Sequence, residues 1–281
     1  MSMVALSKVN KTTLANQLKI SRTSLYYTKV QPAKDEALKN QIETVMVKHK
    51  AYGHKRIALE LQTSKKRIRR VMKMFGLKPV RLRKWQPVKL DDQNKLPVDR
   101  PNVTKILCPI APNIVWAGDF TYISYHGKFI YLATILDRFT REVVGFAVSC
   151  WHNKELVLQA FKTALEHTKK APVYFHSDQG SEYDSQEYIS YLESLNVVVS
   201  MSDKAAPWQN GPKESFYSHY KFELDLKNAN RFNSLGELLE AIYIQIYYYN
   251  TERIHTALKM SPRTFRRLYE SQRLTNQTPV D

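Results

Sequence analysis

Between Val115 and Met201 the chain changes its periodicity in an order that few folds accommodate. Three runs rich in β-branched and aromatic residues come first, Val115 to Ser124, Lys128 to Asp137 and Glu142 to Cys150, divided by turns at His126-Gly127 and near Thr140-Arg141. Such runs at such short separations predict an antiparallel meander. A helical stripe follows from Lys154 to His167, with Leu156, Val157, Ala160, Phe161, Ala164 and Leu165 on one side. Next come a short strand at Val173 to His176, a helix at Ser185 to Leu195, a strand at Val197 to Met201, and further helices. The alternation marks an α/β domain.

Three acidic residues occupy telling places in that order. Asp119, in WAGDFTYI, falls in the middle of the first strand, and Asp178, in HSDQGSEY, just past the end of the fourth. Glu214, in PWQNGPKESFYSHYK, follows Asp178 with 35 residues between them. It falls in the first turn of a helix in which Pro212 suits the first position and Asn210 or Gly211 the cap, where the helix dipole favours a carboxylate. Three strands, helix, strand, helix, strand, helix is the order of the ribonuclease H-like fold, in which the first and fourth strands are neighbours. On that fold the carboxylates converge. The spacing resembles the Asp, Asp, Glu signature of polynucleotidyl transferases, whose hard oxygen ligands hold two Mg²⁺ (or Mn²⁺) ions for in-line phosphoryl transfer.

Charge is concentrated elsewhere. Of the net +17, residues 1–105 carry 25 Lys and Arg against 7 Asp and Glu, while residues 106–281 carry 18 against 19. A basic surface of that density attracts a polyanion through counterion release, and double-stranded DNA is the expected partner. Residues 1–31 read as a helix-turn-helix, with Leu14, Leu18, Ile20 and Leu25 at helical spacing and Ser21 capping a short helix from Arg22 to Tyr27 that presents Arg22. Residues 35–78 read as a second, basic helix-turn-helix-like module. Its helices are expected at Asp35 to Lys50, Lys55 to Leu61 and Ser64 to Phe75. On the last, Ile68, Val71, Met72 and Phe75 form the apolar stripe, leaving Lys65, Lys66, Arg67, Arg69 and Arg70 for phosphates or base edges. Residues 79–110, rich in proline, read as a linker, 111–275 as the catalytic core and 276–281 as a tail. Lys204, Asn210 and Lys213, around the loop before Glu214, are further expected DNA contacts. No apolar run is long enough for a membrane span, no secretion-signal order opens the sequence, and two cysteines, Cys108 and Cys150, fit a reducing cytoplasm and ordinary thiols.

From about residue 110 to 275 the chain resembles the catalytic core of bacterial insertion-sequence transposases of the retroviral-integrase superfamily, the class encoded by the second of two overlapping frames. The blocks that carry the resemblance are WAGDFTY (116–122), Leu136-Asp137-Arg138 with Arg141, HSDQGSEY (176–183), PWQNGPKES (207–215) and YYNTERIHTALKMSPRTF (248–265). The segment from YGHKRIALEL (52–61) to RVMKMFGL (70–77) is similar to the helical module preceding that core. Pro212 departs from what many relatives carry. The resemblance implies that Asp119, Asp178 and Glu214 are the catalytic metal ligands, with two ions activating the nucleophile and stabilising the leaving 3′ oxygen. It further implies cleavage at the ends of a mobile element, strand transfer to target DNA, a homodimer or higher oligomer on DNA, and a place on the bacterial nucleoid. The rival classes are a DNA-binding regulator with an inert core and a structure-specific nuclease such as a junction resolvase.

Smaller expectations attach to single residues. His176 reads as a packing group, Gly180 as a backbone conformation that other residues resist, and Asp137 as a structural partner of Arg138 or Arg141. Arg253, His255 and Lys259 read as DNA contacts or core clamps, and Tyr248 and Tyr249 as packing.

Overall fold

The computed structural model describes residues 10–26, 30–80, 102–103, 106–202 and 211–275. Its basic third is helical. Helix α1 (Lys11–Gln17) is capped by Asn10, whose Oδ1 accepts from Thr12 N at 2.9 Å. The segment after it is a five-residue 3-10 helix, Arg22–Tyr26, rather than an α-helix. Ser21 Oγ accepts from Ser24 N at 3.2 Å and shares hydrogen bonds with the Thr23 and Ser24 hydroxyls, local partners that compete with a longer helical ladder.

Helices α2 (Val30–Lys48), α3 (His54–Glu60) and α4 (Lys65–Met74) close around Leu38, Ile42, Ile57, Ile68 and Val71. On α4 the stripe falls as its spacing predicts, with Ile68, Val71 and Met72 buried, Phe75 half-buried, and Lys65, Lys66, Arg67 and Arg69 exposed. Arg70 departs from the expectation of a free cation. Its two terminal nitrogens reach Asp35 Oδ2 at 2.7 Å and Oδ1 at 2.5 Å, binding α4 to α2. Asp35 is buried, so its carboxylate needs a charged partner, and the Arg70 hydrogen bonds hold it below the usual carboxylate range.

The sheet contains β1 (Val115–Tyr125), β2 (Lys128–Asp137), β3 (Val143–Ser149), β4 (Tyr174–Ser177) and β5 (Val198–Met201), in the order β3-β2-β1-β4-β5. The first three pair antiparallel; β4 joins β1, and β5 joins β4, in parallel. Parallel neighbours need crossover helices, supplied by α5 (Lys154–Thr168) and α6 (Gln186–Ser194). These two bury Phe161, Ala164, Tyr188 and Leu192 against Trp116, Val144 and Phe175 on one face. The other face is covered by α7 (Gly211–Glu223) and α8 (Leu235–Thr251), whose Phe216, Tyr220, Ile242 and Ile246 pack on Ile130, Leu132 and Leu136. Helix α9 (Pro262–Thr275) returns its Arg266 to Asp137 and Glu142.

The helical module docks on the segment after α8. Tyr52 Oη accepts from Ile254 N at 2.6 Å, and Ile254 belongs to the same apolar cluster as Ile42 and Ile57. His49 stacks on Tyr52 and shares a 2.6 Å hydrogen bond with Tyr248 Oη. Tyr248 therefore links the two parts in addition to packing. Among the described residues no helix is long and apolar enough to cross a membrane.

Candidate active site

Strand register brings the two aspartates together. Ala117 on β1 pairs with His176 on β4 in parallel, and Asp119 and Asp178 each stand two residues further on. Asp119 stays within β1, opposite Thr134 of β2, while Asp178 lies one residue past the end of β4, so the β1–β4 pairing stops two residues short of both. Their convergence shows in Tyr183, a fully enclosed phenol whose pKa is raised well above the ordinary range by burial, then by the negative charges of Asp119 and Asp178. Loss of hydration also pushes the Asp178 carboxyl up, with Glu182 adding like charge and Gly180 N opposing as a donor at 3.2 Å. Glu182 is buried and pairs with His152 Nε2 at 2.9 Å.

Two glycines let the backbone approach this closely. A Cβ on Gly118 would fall 2.3 Å from Phe175 Cζ, inside the packed ring. Gly180 corrects the expectation of an unusual backbone conformation, because its φ does not lie in the left-handed region. The constraint is space: a Cβ there would stand 3.1 Å from both Asp178 Oδ1 and Glu182 Oε2.

Glu214 belongs by its backbone to the first turn of α7; its side chain lies outside the described residues. What holds that turn against the sheet is a chain of hydrogen bonds. Lys213 Nζ donates to Thr134 O and Oγ1, both at 2.5 Å. Thr134 Oγ1 donates to Tyr217 Oη at 2.9 Å, and Tyr217 donates to the backbone carbonyl of Asp119 at 2.7 Å. Thr134 is the cross-strand partner of Asp119, so all these contacts fall at one level of the sheet.

Lys213 is thus not the DNA contact its loop position suggested. It is fully enclosed, its ammonium brought down to about 7 by burial while Asp119 pulls the other way, and its donors are turned inward to β2. A second lysine on this helix was missed in the sequence. Lys221, two turns after Glu214, lies 4.9 Å from the centre of the Tyr122 ring, its ammonium pushed down by burial while the charge of Asp119 pulls the other way. An i, i+7 relation to Glu214 was the available signal.

Several expectations resolve into structural roles. His176 is completely buried, shares a 3.0 Å hydrogen bond with Ser200 Oγ, and is pushed down to about 4 by burial and by Arg138. Asp137 is structural, but its partners are the backbone N–H groups of Asn113, Phe139 and Thr140 and the Arg266 guanidinium, in place of Arg138 and Arg141. Arg253 clamps the core through Glu223, with Nε 2.8 Å and 2.9 Å from its two oxygens. Arg22 is exposed on the 3-10 helix; Lys204 and Asn210 lie outside the described residues. Among the described residues no group of three His, Cys, Asp or Glu side chains gathers as a metal-ligand set.

Comparison with known proteins agrees with this architecture. Two family models, each described as an integrase core domain, match residues 109–207 and 195–262. The transposase for insertion sequence element IS904 of Lactococcus lactis subsp. lactis (strain IL1403) is 35% identical over 247 residues, covering 84% of this chain and 95% of that protein. The insertion element IS600 uncharacterized 31 kDa protein of Shigella sonnei is 34% identical over 245 residues, covering 84% of this chain and 89% of its own. In fold, the chain is similar to one in the cryoEM structure of the simian T-cell lymphotropic virus intasome in complex with PP2A regulatory subunit B56 gamma. That similarity has a TM-score of 0.52 at 15% identity, over 85% of this chain and 75% of that one. An integrase-type sheet, two integrase core matches and a relative aligned over almost its whole length lead to one conclusion: the chain belongs to the insertion-sequence transposases of the DDE integrase superfamily, enzymes of DNA transposition.

Proposed function

We propose that the protein cleaves DNA strands at the ends of its own mobile element and transfers the new 3′-hydroxyl to target DNA, using divalent metal ions held by Asp119, Asp178 and Glu214. The observation that carries this reading is the pair of aspartates each two residues past the Ala117–His176 pairing of the parallel neighbours β1 and β4, with the Asp178 carboxyl already pushed up by burial and by Glu182. A desolvated carboxylate with like charge beside it fits a hard cation, which relieves the repulsion. When bound, Mg²⁺ or Mn²⁺ supplies positive charge at the attacking and leaving oxygens of an in-line displacement. The chain's own part is geometric. In this reading the paired strands β1 and β4 lead into the two aspartates, and Lys213, Thr134 and Tyr217 hold the start of α7, which carries Glu214, against the sheet.

The basic helices α2 to α4, with Lys65, Lys66, Arg67 and Arg69 exposed, bring the double-stranded DNA, and the division into modules of residues 1–31 and 35–78, a linker, a core of 111–275 and a tail follows that assignment. Arg22, Lys204 and Asn210 are secondary contacts. Cutting two element ends in concert calls for a homodimer or higher oligomer on DNA. The test incubates element ends with Mg²⁺ and the wild type, Asp119→Asn or Asp178→Asn. The expected result is cleavage and joining by the wild type only, with DNA binding equal in all three. Undiminished cleavage by Asp178→Asn would sink the assignment.

A further inference from the structure

Helix α7 has a second working side. Tyr217 and Lys221 address Asp119 on the sheet, while Ser215 and His219, one turn apart, line a cavity of about 250 Å³ between α3 and the core. Arg56, Arg141, Arg253 and His255 line the same space. Among the described residues the carboxylate beside them is Glu223, already closed on Arg253. Three guanidinium groups share this partly open cavity with one countercharge.

Polar nitrogens around it are also unpaired. Among the described residues, Arg56 Nε, His219 Nδ1, Arg253 Nη2 and His255 Nδ1 are buried and lack a hydrogen-bond partner. Arg253 is only 2% exposed. Unpaired buried nitrogens are rare singly, and the two guanidinium donors among these four call for an acceptor in the cavity. Guanidinium groups suit a phosphate, whose oxygens accept paired, charge-assisted hydrogen bonds.

We infer that this cavity is an oxyanion site that takes a phosphate group, and that the phosphate is a backbone diester of the DNA. The naming of DNA as the source rests on the strand-transfer reading; the oxyanion site does not. Ser215 directly follows Glu214, so a strand reaching the first turn of α7 passes the mouth of the cavity, and its phosphates recur about every 3.4 Å along the duplex axis. Arg56 comes from the helical module and the other five residues from the core, so the anion bridges the two. The histidines agree with a site poised for negative charge. Both are pushed down to about 4, first by burial and then by the neighbouring arginines, a repulsion that a bound anion would cancel.

The experiment begins with the full chain without DNA, titrated with inorganic phosphate against chloride at equal ionic strength. Thermal unfolding should move upward with phosphate in the wild type and in Asp178→Asn, and should respond far less in Arg56→Met. Ring pKa values of His219 and His255, read by NMR on the wild type alone, should rise on adding phosphate, which keeps the test decisive even if Arg56→Met folds poorly. No phosphate-specific shift in either measurement overturns the site. DNA affinity is then followed against salt: a log–log slope reduced by about 0.9 in Arg56→Met identifies the strand as the source. An unchanged slope, with phosphate protection still lost, overturns the DNA assignment and leaves a site for free phosphate. Because Asp178→Asn keeps the phosphate response, a failure of the strand-transfer reading and a failure of this site give different results.

Discussion

The hydroxyl of Tyr217 donates to the backbone carbonyl of Asp119 across 2.7 Å, joining helix and strand from positions 98 residues apart. Thr134 donates to the same hydroxyl, so one phenol fixes the distance between α7 and both central strands. The bond is made by a backbone oxygen, while the Asp119 carboxylate accepts from Phe120 N through Oδ1 at 2.8 Å.

Removing that hydroxyl should separate chemistry from binding. Tyr217→Phe keeps the buried ring and leaves the Asp119 carbonyl and Thr134 hydroxyl short of a partner, a cost of about 1–3 kcal/mol in urea unfolding. Strand cleavage should fall on the order of tenfold, one pKa-unit equivalent of transition-state energy, with DNA affinity unchanged. Equal loss of both would show that the bond supports the fold alone.

Acid stability should depend on Glu142. Burial alone would push this carboxyl up, but His167, Arg266 and Arg263 outweigh it and bring it down from 4.5 to about 2. Because the folded value lies below the unfolded one, the stabilisation is fully present above about pH 4.5 and is lost as pH falls toward 2. Its size is on the order of 3 kcal/mol. Glu142→Gln should therefore lower stability at neutral pH and flatten the acid limb of the unfolding curve; a limb as steep as that of the wild type would contradict the pairing.

Docking of the helical module should loosen in Tyr52→Phe. The Ile254 N–H then loses its acceptor in a buried setting, at about 1–3 kcal/mol. Amide exchange should quicken at Ile254 and along α3, while the protection of β1 and β2 stays as it was.

The exposed cations of α4 should behave differently from Arg70. Each of Lys65→Ala, Lys66→Ala, Arg67→Ala and Arg69→Ala that removes a phosphate contact lowers the salt slope of DNA affinity by about 0.9, with little change in stability. Arg70→Ala should instead destabilise the module, because Asp35 loses its charged partner and keeps only the Gln31 amide as a side-chain donor. A stable Arg70→Ala protein with a reduced slope would reverse the assignment.

Elements were legible in the sequence wherever periodicity was sustained. The three-strand meander, α5 and the α4 stripe fall within a residue or two of their expected bounds, because alternation and the i, i+3, i+4 pattern are local properties. The adjacency of the strands that lead into Asp119 and Asp178 was also readable, through the strand order. Lys213 was not. It sits among loop residues in sequence, and its burial depends on Thr134, 79 positions earlier, which no local pattern announces. The same holds for Asp137 and Arg266, 129 positions apart, and for Arg70, whose partner Asp35 lies on another helix. The basic cavity was invisible for a related reason: its six residues come from α3, the β2–β3 turn, α7 and the segment after α8.

The parallel register of β1 and β4 gives the aspartates a different mechanical standing from the turn that carries Glu214. The strands that lead into them are joined by main-chain pairing as far as Ala117 and His176, which nearby side-chain substitutions leave in place. The start of α7 is held by a lysine, a threonine and a tyrosine, contacts that can be remade one at a time. On the proposed assignment, two of the acidic residues follow closely on the paired strands, and the third is on an adjustable arm. Variation that tunes when this enzyme becomes competent has one inexpensive place to act, the footing of α7, while the sheet beneath it stays unaltered.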